Sequence, residues 1–204
     1  MIRKFTRQTQ DQAASIVSAG GVIAFRTDTF YGLGADPFNQ SAVQRIRELK
    51  GREDAKPILL LISDLSELDR FIAAQSKSFR AVTERFWPGP LTLVGTARPE
   101  LPEELTSGTN TVGVRLPKDD SVRQLVRACG GSLTATSANT TGHPAARSAD
   151  DVANYFPQGI DLIVDGGEVS ATKPSSVVDL SGSVPRLIRE GAVTRAQLDE
   201  FGVR

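Results

Sequence analysis

The sequence predicts an α/β domain built on a mixed sheet. Three observations carry that prediction. Seven or eight short apolar runs have the length and composition of strands. Amphipathic stretches at helical spacing are interleaved with them, which is the α/β pattern. Several neighbouring strands have no helix between them, and strands joined that way pair antiparallel rather than through a crossover. The uneven order argues against regular double winding.

The elements follow in order. Thr9, with Gln12 three residues on, reads as a capping box that opens the first helix, and Gly20-Gly21 closes it. Val22 to Arg26 is a short apolar strand that runs into a turn-rich stretch, Thr27 to Gly34. Val43, Ile46 and Leu49 recur at helical spacing, which predicts an amphipathic helix over 41–50. Ile58 to Ile62 reads as a buried strand. Helices follow over 66–74 and 76–86, the second stopped by Pro88-Gly89-Pro90. Strands are expected at 91–96 and 112–116, a helix at 120–129 and a strand at 132–136. Ser148 with Asp151 caps a helix reaching Phe156. Strands at 162–164, 177–180 and 187–189 come next, and Thr194 with Gln197 opens a last short helix.

Composition excludes several classes. Apolar residues make up 39% and charged residues 24%, the balance of a soluble globular domain. The 24 basic and 24 acidic residues cancel, so bulk charge points to neither nucleic acid nor a membrane surface. Arginine outnumbers lysine, 18 to 6. Its planar fork suits phosphate and carboxylate, although GC-rich codon usage produces the same skew. The single Cys129 rules out a disulfide framework and suits a reducing cytoplasm. The N-terminal MIRKFTRQTQ has no long apolar segment, so no signal peptide is expected. The longest apolar run, Ile58 to Ile62, is far too short to span a bilayer.

The common catalytic kits are missing. His143 is the only histidine, so a Ser-His-Asp or Cys-His engine would need another base. Cys129, in QLVRACGG, reads as a small buried residue. No Cys/His cluster has zinc spacing, and no metal-ligand set is expected from protein side chains. There is no phosphate-binding G-x-x-x-x-G-K-[ST], and no G-x-G-x-x-G follows a strand. An enzyme with this sequence works by positioning and charge neutralisation.

Four stretches concentrate small polar and basic residues at strand ends or turns, where side chains and backbone N–H groups can be aimed at a ligand. They are RTDTFYGLGAD (26–36), KGREDAKP (50–57), TATSANTTGHPAARS (134–148) and KPSSVVDL with RLIREGA (173–192). Taken alone, each is equally an ordinary polar turn. Cations at a helix C-terminus suit its dipole, which accounts for Lys50 but less well for Arg52 and Lys56. Those three cations could hold a triphosphate. Ser137 and Asn139 lie two apart, on one side of an extended backbone. His143 reads as a surface loop residue. Arg115 sits between Val114 and Leu116 in an apolar strand, where an unpaired charge is costly. It requires an anionic partner, either a ligand carboxylate or a protein carboxylate.

Together these stretches resemble the YrdC/Sua5 family, the threonylcarbamoyl-AMP synthases. The resemblance runs through TDTFYGLGADPFN, the Lys50-Gly51-Arg52 of a KxR motif, FWPGPLT and VGVRLP. It continues through the Ser137-Ala138-Asn139 of an SxN motif, PSSVVDL and IREGA. The motifs stand in the family's order and cover nearly the whole chain. Arg26 stands where the family commonly has Pro, and Ser176 where Thr is common. The chain ends soon after IREGA, so the resemblance reads it as the short form. It implies one YrdC-like domain over 1–204, with a core at about 9–192. The implied fold is a twisted, mixed parallel and antiparallel sheet with flanking helices and a concave active site.

The resemblance also implies roles. Thr29, Arg115 and Ser175 hold threonine, with Leu61 and Ala135 contributing backbone contacts. Lys50, Arg52, Lys56, Thr111, Ser137, Asn139 and Arg189 hold ATP with Mg2+, aided by the backbone near Ala145. Lys50, Arg52, Ser137 and Asn139 carry the catalysis. The implied reaction joins L-threonine, bicarbonate or CO2, and ATP into threonylcarbamoyl-AMP and pyrophosphate. The product serves the N6-threonylcarbamoyladenosine modification of tRNA through a separate tRNA threonylcarbamoyl transferase complex in the cytoplasm; direct tRNA binding stays open. Two rivals remain: a non-catalytic RNA-binding module, against which zero net charge argues, and a paralogue that forms carbamoyl-adenylate.

Arg52→Ala is expected to weaken ATP binding about tenfold to over a hundredfold, the worth of one charge-assisted contact, with the fold intact. Calorimetric titration with ATP checks this, and unchanged affinity in a folded variant removes Arg52 from the phosphate site.

Overall fold

The computed structural model describes residues 1–51 and 57–204. Arg52 and Lys56 lie outside the described residues. The strands, in chain order, are β1 (Ile2–Lys4), β2 (Ile23–Arg26), β3 (Tyr31–Gly34), β4 (Leu60–Ile62), β5 (Leu91–Thr96) and β6 (Thr111–Arg115). Then come β7 (Ser132–Thr134), β8 (Thr136–Ser137), β9 (Leu162–Asp165), β10 (Ser176–Asp179) and β11 (Arg186–Arg189). The α-helices are α1 (Arg7–Ser18), α2 (Gln40–Lys50), α3 (Lys77–Phe86), α4 (Glu103–Thr106), α5 (Asp120–Ala128), α6 (Ala149–Tyr155) and α7 (Arg195–Leu198).

The expected mixed sheet resolves into two. One has the order β1-β9-β2-β3-β8, the other β11-β10-β5-β6-β4-β7. Parallel pairs (β1·β9, β2·β9, β4·β6, β5·β10) stand beside antiparallel ones (β2·β3, β3·β8, β4·β7, β5·β6, β10·β11). Strand alternation feeds two cores. Val22, Ala24, Leu60, Ile62 and Ile163 face the larger one, with Phe71, Phe79, Leu91 and Leu93. Ile23, Phe25, Leu61, Leu162 and Val164 face a smaller one, covered by Ala13 and Val17 of α1 and by Val122, Leu125 and Val126 of α5. No helix among the described residues is long and apolar enough to cross a membrane.

Several elements differ from the sequence reading. The first helix begins earlier, because the Thr6 hydroxyl accepts the Thr9 N–H at 3.2 Å and wins the cap. Tyr31–Gly34 is a strand, not a turn. Its glycines serve close approach: a Cβ on Gly34 would lie 2.6 Å from the Phe25 ring, and one on Gly32 3.3 Å from the Thr136 carbonyl oxygen. A 3-10 turn, Leu65–Arg70, replaces the helix expected over 66–74, with Asp64 as its cap. The single strand expected at 132–136 breaks at Ala135 into β7 and β8. β1 carries no apolar alternation, and its residues are exposed. The capping boxes at Ser148/Asp151 and Thr194/Gln197 are both present.

The break at Ala135 is where the chain leaves one sheet and joins the other. Thr134 donates its N–H to the Ala35 carbonyl at 3.0 Å, and Ala135 donates to the Leu59 carbonyl at 2.7 Å. The Thr134 hydroxyl accepts the Ala35 N–H at 2.8 Å with the side chain fully buried. Thr134→Val keeps the shape but orphans that N–H. It is expected to cost about 1–3 kcal/mol of stability, and Thr134→Ser much less. Denaturant unfolding of the two variants checks this; equal stability would mean the hydroxyl does not hold the seam.

Candidate active site

A cavity of about 260 Å³ opens where the two sheets meet, beneath the C-terminal end of α2. Its wall includes Thr29 from the turn after β2, Ala135 and Ser137 from the seam, and Leu61, Thr92 and Arg115 from the second sheet. Ser175, Arg189 and Lys50 complete the lining.

The turn before β3 is built by one hydroxyl. Thr27 Oγ1 donates to the Phe30 carbonyl at 2.7 Å and accepts the N–H groups of Thr29 and Phe30 at 3.1 and 3.2 Å. That bonding sets buried Thr29 on the cavity wall. Two ion pairs of opposite sense then lock this turn to the end of β6 and the segment that follows it. Arg26 donates to Asp119 at 2.8 Å, and Arg115 donates to Asp28 in a short contact. Asp28 also accepts the Lys118 N–H at 3.4 Å, and Asp119 caps α5 through Ser121 and Val122. Burial works to raise the Asp119 pKa, but hydrogen bonds from Ser121 and Arg26 outweigh it and hold the carboxyl below its usual range.

Arg115 therefore has a protein carboxylate as its partner, and its side chain is 6% exposed. Arg189 lies beside it. Its guanidinium bonds the Ser175 carbonyl at 2.9 and 3.2 Å and the Ser175 hydroxyl at 3.3 Å. Burial of the guanidinium, then repulsion from Arg115, lowers the Arg189 pKa, although outer parts of the side chain remain in solvent. Against these two cations stands Asp28, which leaves this wall fitted to an added anion.

Lys50, at the end of α2, is buried. Its ammonium donates to the carbonyls of Ser137 and Asn139 at 2.8 and 2.7 Å, and to Asn139 Oδ1 at 3.1 Å. Asn139 in turn donates to the His143 carbonyl at 2.6 Å, and the Thr141 hydroxyl donates to the Lys50 carbonyl at 2.8 Å. Here the lysine shapes the loop after β8 as well as lining the cavity.

The structure thus gathers Thr29, Lys50, Leu61, Arg115, Ala135, Ser137, Ser175 and Arg189 on the wall of one cavity. Asn139 is joined to that wall through Lys50. Thr111, bonded to Thr109 at 2.9 Å, is not among its described residues. Neither is Ala145, although its neighbour Ala146 accepts the Tyr31 N–H at 3.0 Å. His143 is exposed, its ring 5.9 Å from that of Tyr155. Burial pushes the Cys129 thiol up to about 12, and Cys129 lies away from the cavity.

Sequence reasoning did not single out three contributors. Asp28 stood unassigned in the TDT turn. Thr92, a hydroxyl between Leu91 and Leu93, bonds Ser175 Oγ at 3.1 Å. Tyr31 donates to the Gly167 carbonyl at 2.8 Å; burial, then Asp165, pushes its pKa up to about 12. A polar residue inside an apolar strand was the available signal for Thr92.

Lys50→Met is expected to orphan the buried acceptors of Ser137 and Asn139, with a loss of about 1–3 kcal/mol and faster amide exchange over 139–142. Hydrogen-exchange mass spectrometry checks this; unchanged exchange would show that the loop holds without the lysine.

Comparison with known proteins bears on these features. A family model for Sua5, YciO and YrdC proteins, described as "Telomere recombination", matches residues 15–191. The threonylcarbamoyl-AMP synthase of Thiobacillus denitrificans is 40% identical over 162 residues, covering 79% of this chain and 86% of that protein. That of Bacillus subtilis is 36% identical over 189 residues, covering 92% of this chain but 55% of its own length. The crystal structure of P. abyssi Sua5 complexed with L-threonine superposes with a TM-score of 0.94 at 32% identity, covering all of this chain and 62% of that one. The chain thus spans little more than half the length of some of its relatives. With the family motifs gathered around one cavity, the chain belongs to the Sua5/YciO/YrdC family.

Proposed function

We propose that this chain makes threonylcarbamoyl-AMP and pyrophosphate from L-threonine, CO2 or bicarbonate, and ATP. The observation that carries the reading is the convergence of Arg115 and Arg189 with the hydroxyls of Thr29 and Ser175 on one cavity. The likeness to a Sua5 protein complexed with L-threonine supports it. Arg115 is 5% exposed and lines the cavity rather than an outer surface, which favours a small-molecule anion over an RNA backbone as its ligand.

In this mechanism Arg115, steadied by Asp28, pairs with the amino acid's carboxylate. Thr29 and Ser175 flank the substrate. Threonine's neutral amine adds to CO2, loses a proton and becomes a carbamate. A carbamate oxygen attacks the α-phosphorus of ATP, and pyrophosphate leaves. Negative charge accumulates on the phosphates, and Lys50, Arg52, Lys56 and Arg189 are the groups that neutralise it. Mg2+ enters with the nucleotide as MgATP. The described wall offers cations and hydroxyls, and Asp28 is engaged by Arg115, so the protein binds the anionic groups. The adenylate then passes to a cytoplasmic transferase that modifies tRNA adenosine.

Selectivity tests the substrate. Arg115 holds any α-amino acid, so choice must come from groups facing the side chain. Serine lacks one methyl, worth about 1 kcal/mol or somewhat more. Valine lacks the hydroxyl and leaves a polar group without its partner, at about 1–3 kcal/mol. Pyrophosphate release is expected to fall in the order threonine, serine, valine. Thr29→Val should narrow the gap between threonine and valine, and Arg115→Ala should damage all three alike. Equal rates with the three would remove the threonine site, and release that needs carbamoyl phosphate instead would favour the carbamoyl-adenylate activity.

A further inference from the structure

β11 brings Arg189 to the cavity, and its pairing with β10 is irregular. Asp179 opposes Arg186 and Val178 opposes Leu187, but Val177 opposes Arg189. Ile188 is thus one residue too many, a bulge, and it is 58% exposed. The extra residue decides on which face Arg189 stands. Ser176 and Val178 of β10 lie beside Leu91 and Leu93 of β5, on the face that fills the larger core, and Leu187 packs there too. Val177 lies on the opposite face, beside Thr92, which lines the cavity. Without the bulge, Ile188 would oppose Val177, and Arg189 would oppose Ser176 on the core face, where an unpaired cation is costly. With it, Arg189 opposes Val177 and lines the cavity.

One buried hydroxyl holds the chain in this register. Ser176 Oγ, fully buried, accepts the N–H groups of Gly191 and Val193 at 2.9 and 3.0 Å and donates to the Val193 carbonyl at 2.5 Å. A hydroxyl carries one proton and two acceptor lone pairs, so all of its capacity is spent on the segment that follows Arg189 and none is left for a ligand. Gly191 lets that segment close up, since a Cβ there would lie 2.3 Å from the Pro174 carbonyl oxygen. On the other side of the bulge, Arg186 is tied to Asp179 at 2.7 Å. Ile188 is therefore bracketed by polar ties before and after it. We infer, on the reading of Arg189 as a phosphate-binding cation, that Ser176 is a positioning residue: it fixes the exit of β11, keeps the bulge at Ile188, and so aims Arg189 at the phosphates of the nucleotide.

The test is calorimetric titration of the whole chain with MgATP, alongside the KM for MgATP in pyrophosphate release. Arg189→Ala should weaken MgATP about tenfold or more, the worth of one charge-assisted contact. Ser176→Ala should weaken it by a similar factor, and adding Ser176→Ala to Arg189→Ala should do nothing more, because its effect passes through Arg189. Ser176→Thr keeps the hydroxyl and should keep the affinity. A Ser176→Ala chain that is less stable but binds MgATP as before would make the hydroxyl a packing group and overturn the proposal, as would losses that multiply in the double variant. The register is tested apart from Ser176 by exchanging two side chains, Ile188→Arg with Arg189→Ile. A bulged residue faces solvent, so the exchanged chain should bind MgATP no better than Arg189→Ile alone. This pair decides the matter if Ser176→Ala does not fold: recovered affinity would mean that position 188 faces the cavity and would overturn the bulge. Unchanged MgATP affinity in Arg189→Ala would overturn the phosphate role of Arg189 and the proposal with it; no MgATP binding by the unaltered chain would overturn the nucleotide reading itself.

Discussion

The rest of the structure depends on one break in one strand. At Ala135 the chain stops pairing with β4 and starts pairing with β3, and every backbone group there must find a new partner. It does so across the gap, through Ala35 on one sheet and Leu59 on the other. The break turns the two sheets against each other, and the cavity is the space left between them. Ala135 and Ser137 reach its wall because the seam itself is part of that wall.

A cavity formed between two sheets needs something to keep its rims in register. Hydrophobic burial holds the sheets but is non-directional. The crossed ion pairs supply direction. Arg26 with Asp119 and Arg115 with Asp28 join the same two stretches of chain, each stretch supplying one cation and one anion. A proline at position 26, common in the family, would stiffen the turn by fixing its backbone. Here an arginine ties the turn from outside instead. The arrangement leaves Arg26 Nε buried without a hydrogen-bond partner among the described residues, so this tie has a local cost.

Much of this was legible in the sequence, for identifiable reasons. Helix α2 could be read because Val43, Ile46 and Leu49 recur at helical spacing, and the end of α3 because Pro88-Gly89-Pro90 stops it. Strands β5 and β6 could be read because their runs are buried nearly throughout. β3 could not, because glycine reads as a turn signal, and its role here is to let Phe25 and the Thr136 carbonyl approach the backbone, a fact that exists only in the folded chain. The division into two sheets was hidden for a related reason: Ser132 to Thr136 carries no Gly or Pro to mark its break, which is imposed by distant carbonyls. Among site residues, Arg115 was legible as a buried charge in need of a partner, but Asp28 is 87 residues away in sequence and nothing local names it. Ser175 and Thr92 lie 83 apart and meet only because β10 pairs with β5.

The described chemistry also constrains what kind of catalyst this can be. The histidine is at the surface, and the thiol, whose pKa burial raises, is not among the residues lining the cavity. Tyr31, on the wall, has its proton committed to a backbone carbonyl and its pKa pushed up to about 12, so it is a poor base near neutrality. The wall offers fixed cations and hydroxyls instead. Fixed groups of that kind cannot take up a proton and return it, but they need no reorganisation when charge develops, and that is the source of their effect on a transition state. Among the described residues nothing on the wall offers a nucleophile or a base, so in the proposed reaction both nucleophile and leaving group come from the substrates. A reaction in which an amino acid's own carbamate attacks a triphosphate that leaves as pyrophosphate meets that condition: what it asks of the protein is a carboxylate anchor, a set of phosphate-binding cations and a frame that keeps them facing one another.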